Sequence, residues 1–232
     1  MAYRPAMDTT PDDLRIHCMP ATLRSLAVDR MRKAIVGGRF KGGERLVERT
    51  LCDQLGVSRS VVREAIRTLE AEGLVQAQGR AGPMVAVLDW DGARQIYDIR
   101  RLLEAEAAAA CARLADAGVK ARLTAALTAL DRAFAGADQS HLYDATTAFY
   151  EVIFRSAGQA MAWDIVQRLN GRISRLRALT LATRDRHVSG PAHMARIAAA
   201  IAANDPEAAA QAVRDHLHDA ARIAQALLQG AA

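Results

Sequence analysis

Leu55-Gly56-Val57-Ser58-Arg59-Ser60-Val61-Val62-Arg63-Glu64-Ala65-Ile66-Arg67-Thr68-Leu69-Glu70-Ala71-Glu72-Gly73 is the stretch that decides how the chain is read. Val62, Ala65, Ile66 and Leu69 recur at i, i+3, i+4 and i+7, which predicts a helix from Ser58 to about Glu72 with those four residues on its buried face. Arg59, Arg63 and Arg67 recur at i, i+4 and i+8 and line another face with guanidinium groups. Ser58 is placed as the N-cap. The unpaired N–H groups of the first turn, with the Ser58 and Ser60 hydroxyls, form a local site for phosphate oxygens.

Working outward, Leu51, Cys52 and Leu55 predict a short helix over Glu48–Leu55, with Gly56 as its left-handed cap and only a tight turn before the arginine-lined helix. Leu23, Ala27, Met31 and Ile35 predict an earlier helix from Ala21 to about Val36, stopped by Gly37-Gly38. Downstream, Leu74–Gln78 and Met84–Leu88 read as two short strands around Gly79-Arg80-Ala81-Gly82-Pro83. Helix, helix, tight turn, helix and a basic-tipped hairpin outline a winged helix-turn-helix over residues 21–88. Residues 1–20, with Pro5, Pro11 and Pro20 and no apolar period, read as a mobile arm.

Charge supports this division. The formal net charge of +5 is modest, but residues 1–88 carry 14 basic and 10 acidic side chains against 17 and 16 in residues 89–232. Within Ala21–Arg67 the count is 11 against 5, a footprint suited to phosphates. Apolar residues are 51% and charged residues 25% of the 232, ordinary for a folded chain. No window approaches the ~18 consecutive apolar residues of a membrane span, and the N-terminus lacks the apolar core of a secretory signal, so the expected location is the cytoplasm. Cys18, Cys52 and Cys111 are too far apart for a thiolate metal motif.

Gly38-Arg39-Phe40, Gly43-Glu44-Arg45-Leu46 and above all Leu55 through Val75 closely resemble the GntR family of bacterial transcription regulators. The resemblance implies that Arg49, Ser58, Arg59, Ser60 and Arg63 contact a double-stranded DNA operator and that the wing tip, Gly79, Arg80 and Gly82, enters the adjacent minor groove. An arginine near the start of a recognition helix can pair bidentately with guanine, while Arg49, Ser58 and Ser60 are better suited to holding phosphates.

From Trp90 onward the pattern is helical throughout, with helices predicted near 91–116, 119–136, 139–156, 160–182, 191–203 and 206–229. The expected fold is mostly α, a winged helix-turn-helix with a small β-hairpin followed by an all-α bundle over 89–232. Ile96 through Glu104, Ala148-Phe149-Tyr150 and the segments from Ile197 to Leu217 resemble the FCD ligand-binding domain of one GntR branch, in its smaller, VanR-like, six-helix form. Many such domains hold a divalent metal through an Asp-x-x-x-His pair and two further histidines. Here those positions fall on Thr146, Tyr150 and Met194, and His216 alone is retained, with His193 one residue out of register. The donor set therefore suits a hard cation poorly, and no cofactor is expected unless His193 and His216 together take a metal.

Arg100, Thr146, Tyr150, His193 and His216 remain as a candidate metal-free pocket in which Arg100 holds a carboxylate. On this reading, replacing Arg100 removes the response to ligand and leaves operator binding intact. Asp144 and Glu151, at i and i+7 with no companion nucleophile, read as surface rather than as an acid and base. The expected function is a homodimeric regulator, a repressor, controlled by a small organic acid. A bundle serving dimerisation alone, and an enzyme with a DNA-binding appendage, are the alternatives.

Overall fold

A computed structural model describes residues 22–77, 79, 82–136 and 139–230. The expected arm over 1–20 and Arg80 of the wing lie outside the described residues. Helix α1 (Leu23–Val36) opens on Thr22, whose hydroxyl accepts from the Ser25 amide, and buries Ala27, Val28, Met31 and Ile35. Helix α2 (Glu48–Leu55) ends at Gly56, whose φ of 65° lies in the left-handed region where a side chain is strained. Helix α3 (Arg59–Ala71) buries Val62, Ala65, Ile66 and Leu69, the four residues of the periodic face. They share one apolar cluster with Leu46, Leu51, Leu74, Val75 and Val85.

Strands β1 (Val75–Ala77) and β2 (Pro83–Val85) pair antiparallel with Val75 opposite Val85, Gln76 opposite Met84 and Ala77 opposite Pro83. Both are shorter than the sequence predicts, and β2 has a further neighbour. Arg45 bridges Met84 on the other side, with Gly43 N–H donating to the Val85 carbonyl, Val85 N–H to that of Glu44 and Leu46 N–H to that of Pro83. The linker between α1 and α2 thus acts as an extra edge. It is too short to show an alternating pattern.

The remaining helices are α4 (Trp90–Leu114), α5 (Ala117–Ala135), α6 (Gln139–Ser156), α7 (Ala160–Arg172), α8 (Ser174–Leu181), α9 (Arg184–Ala202) and α10 (Pro206–Gln229). Asp89, Asp116 and Asp205 cap α4, α5 and α10 through backbone amides, offsetting orphan donors at each start. The bundle buries a second apolar cluster centred on Phe149, Ile153, Phe154, Val166, Ile197, Ile201 and Val213, with α10 packed along α4 and α9. No helix among the described residues is long and apolar enough to cross a membrane. Burial pushes the Cys111 thiol up to about 11.

Two predicted boundaries are corrected. The expected helix over 160–182 is divided at Ile173, whose backbone (φ −103°, ψ 10°) leaves the helical region while its side chain enters the core, so that seven helices stand among the described residues where six are predicted. The expected break at Gly190-Pro191 is absent, because α9 begins at Arg184 and runs through both residues. Gly190 is buried against Phe134, and a Cβ there would lie 2.6 Å from the Phe134 ring, so this glycine makes room for a side chain rather than a turn.

The two clusters meet through glycines. A Cβ on Gly171 of α7 would lie 2.6 Å from the Glu72 carbonyl oxygen at the end of α3, and one on Gly73 would strike the Arg172 side chain. Arg32 of α1 holds the Glu72 carboxylate at 2.7 and 3.0 Å, and α8 touches α1. Because the atom facing Gly171 is backbone, Gly171→Ala is expected to force the two parts apart at a cost of about 1–3 kcal/mol. A thermal melt of the variant checks this, and an unchanged midpoint would mean that the junction is not closed in solution.

Candidate nucleic-acid interface and buried pocket

The N-terminus of α3 is open. Ser58 has the extended backbone of an N-cap, but its hydroxyl lies 2.9 Å from that of Ser60 and makes no capping bond to the helix. The expected capping bond is replaced by a serine pair, which leaves the first-turn N–H groups facing outward beside two hydroxyls, an arrangement suited to an anion. Arg59, Arg63 and Arg67 are all exposed, as the periodicity predicts. They are not equivalent. Arg63 Nε is 3.0 Å from both oxygens of Glu48, and Arg67 is 2.8 Å from Glu64, whereas Arg49 and Arg59 make no ion pair among the described residues. The two unpaired guanidiniums project from α2 and α3, the helices flanking the turn.

Gly79 and Gly82 take φ of 49° and 81°, so both positions of the tip use conformations that favour glycine. Arg45 belongs to the segment that carries the family resemblance but is not among the expected DNA contacts. Its guanidinium lies 3.9 Å from where a Cβ of Gly82 would sit, which adds a cation at the base of the wing. Only the β-bridge to Met84 brings it there, and no helical or alternating period signals it.

Within the bundle, Arg100, Thr146 and His216 line one small buried pocket, with Tyr97, Arg177 and Thr180 completing its polar wall. Its volume is about 20 Å³, space for about one water molecule. Arg100 Nε donates to Glu104 at 2.6 Å, and both side chains are buried. Burial works against the Arg100 charge, and the Glu104 carboxylate more than restores it, leaving the guanidinium above its ordinary value. Thr146 donates to the Leu142 carbonyl at 2.7 Å. The Tyr150 ring lies 5.9 Å from that of His216, and the His193 ring meets His216 edge-on at 5.8 Å. The earlier start of α9 thus accompanies a His193 that reaches its partner despite the shifted register. His193 Nδ1 is 2.8 Å from Arg196, and Nε2 is 3.6 Å from Asp219.

The five expected pocket residues therefore form one neighbourhood, in which Tyr150 and His193 reach the pocket through His216. A divalent cation does not fit it well. The Thr146 hydroxyl proton is committed to a helix carbonyl, Met194 is buried in the core, and no group of three or more His, Cys, Asp or Glu side chains suited to a metal occurs among the described residues. Asp144 is exposed and Glu151 pairs with Arg155 at 2.7 Å, a surface arrangement without a nucleophile.

Comparison with known proteins covers both halves. Residues 23–85 match the bacterial regulatory proteins of the gntR family, and residues 95–219 match the FCD domain. The HTH-type transcriptional regulator YdhC of Bacillus subtilis (strain 168) is 29% identical over 204 residues, spanning 87% of this chain and 91% of YdhC. The HTH-type transcriptional repressor RspR of Escherichia coli (strain K12) is 25% identical over 193 residues, spanning 82% and 83%. Among solved structures, a transcriptional regulator GntR from Rhodococcus sp. RHA1 superposes with a TM-score of 0.72 at 25% identity, covering 90% of this chain and 98% of that one.

Proposed function

This chain belongs to the gntR family of bacterial DNA-binding transcription regulators and carries an FCD effector domain, and on that premise we propose that it is a cytoplasmic homodimeric repressor released from its operator by a small organic acid. The observation that carries the DNA half is the uncapped start of α3 with the exposed Arg59 beside it, which makes no ion pair among the described residues, and Arg49 on the preceding helix. Open amides and serine hydroxyls fix phosphates and set register, and Arg59 reads a base edge in the major groove. The name of RspR supports repression rather than activation. Exposed Ile99 and Leu102 on α4, with Met161 and Ile165 on the adjoining α7, support an apolar face for a second copy.

Control follows from coupling between two sites. Acid binding in the bundle changes the placement of α8, which touches α1, and so changes how the two winged helices meet the operator. The test is selection of bound fragments from the source genome, followed by binding titrations with and without candidate acids. A two-fold symmetric site whose affinity falls with one acid supports the reading, and a protein that selects no sequence defeats it. The narrowness of the pocket favours a second reading, in which the bundle serves dimerisation alone. That reading predicts no rise in melting temperature with any acid.

A further inference from the structure

Helices α1 and α2 leave a groove of about 520 Å³ between them, within the range of roughly 300–1,000 Å³ that receives a drug-sized ligand. Its floor is apolar, with Leu51 buried and Phe40 and Leu55 half-buried. Its rim is cationic. Arg30, Lys33 and Arg39 are all exposed, none is in an ion pair among the described residues, and no acidic side chain is among the described residues that line the groove. Gly38, at φ 78°, turns the chain back after α1, and the Arg39 N–H donates to the Ala34 carbonyl at 2.9 Å, which sets Arg39 and Phe40 against the groove. A concave surface lined by one sign of charge focuses its field and concentrates the opposite charge.

Helix geometry separates this groove from the DNA-reading face. At ~100° per residue, Arg49 of α2 lies on the opposite side of its helix from Leu51, Gln54 and Leu55, which line the groove. In the same way Arg32 crosses α1 to Glu72 at the end of α3, while Arg30 and Lys33 line the groove. A phosphate backbone, moreover, has no apolar group to set on Phe40, Leu51 and Leu55. The complementary surface combines carboxylates with an apolar side chain. We propose that the groove docks a second protein through a short acidic segment bearing an aromatic or large aliphatic side chain, which enters between α1 and α2 while flanking carboxylates meet Arg30, Lys33 and Arg39. The apolar anchor supplies affinity, and the charges supply speed of encounter and register. A regulator built this way holds the operator on one side of α2 and a protein on the other, and so brings that protein to the DNA. Nothing in this docking depends on a ligand in the bundle.

The test uses the full chain and a fluorescein-labelled peptide with a phenylalanine and a leucine set among glutamates, followed by anisotropy at low and high salt. Wild type is expected to bind it, less tightly as salt rises. A version with serines for the two apolar residues is expected to bind about tenfold more weakly, and a version with lysines for the glutamates not at all. Arg30→Gln combined with Arg39→Gln is expected to weaken the peptide by about tenfold or more. It is expected to melt as wild type does, since neither side chain is in an ion pair among the described residues. At physiological salt, where charges more than ~8 Å apart are largely screened, the double variant is expected to keep its affinity for the selected genomic fragments within about threefold. No peptide binding by wild type overturns the proposal, as does equal binding of the serine version or unchanged binding by the double variant. A loss of DNA affinity as large as the loss for the peptide assigns the groove to the DNA footprint and also overturns it. A changed sedimentation coefficient of the double variant assigns the groove to a second copy of this chain, with the same consequence.

Discussion

Arg100→Ala is expected to destabilise the folded chain by about 3–5 kcal/mol, because it leaves the Glu104 carboxylate buried without its cation. For a chain of this size that is roughly 6–20 °C in melting temperature. The expectation drawn from sequence alone, that this substitution removes the ligand response and spares operator binding, is therefore revised: at 2.6 Å from Glu104, Arg100 is part of what holds α4 in the bundle. Replacing both partners by apolar residues of similar size, Arg100→Met with Glu104→Leu, is expected to recover most of the loss, since neither then leaves a charge behind. Thermal and urea melts of the two single variants and the pair measure the coupling. A single variant as stable as wild type would show that the pair does not form.

Arg59→Ala is expected to weaken specific operator binding by about 1–3 kcal/mol, or some 5- to 150-fold, without changing stability, because Arg59 is exposed and makes no ion pair among the described residues. Arg63 behaves differently. Its guanidinium is shared with Glu48, so Arg63→Ala removes a cation and also releases a carboxylate toward the phosphates. Glu48→Gln is the matching control, expected to tighten binding to unrelated DNA. Anisotropy titrations at several salt concentrations separate the roles: a phosphate contact lowers the salt slope by about 1, while a base contact lowers discrimination between operator and mutated site. Unchanged binding by both arginine variants would rule out docking through this face of α3.

The helix-turn-helix was legible because its signals are local and periodic. Four apolar residues at helical spacing, a glycine at the turn and a serine at the next helix start depend on nothing distant, and the structure places each element within two residues of its predicted bounds. What escaped depended on tertiary contact. Arg177 sits in Ser174-Arg175-Leu176-Arg177, where charge alone assigns an arginine to solvent, yet its side chain is buried. Gly190-Pro191 carries the residue types of a turn, yet Gly190 is there to admit Phe134. The division at Ile173 has no glycine or proline at the break itself, and the backbone departs from the helix where the side chain is fully buried.

The three backbone bonds that join residues 43–46 to β2 bear on how a message could reach DNA. They tie the linker after α1 to the hairpin after α3, so the wing is not a flap that opens by itself. In the proposed dimer each DNA-reading unit would then move as one piece, like the jaw of a caliper, so that a change in the bundle alters the gap between the units. A metabolite would be registered as a distance along the double helix, and an operator whose half-sites are re-spaced to the other setting would answer the same metabolite with the opposite sign.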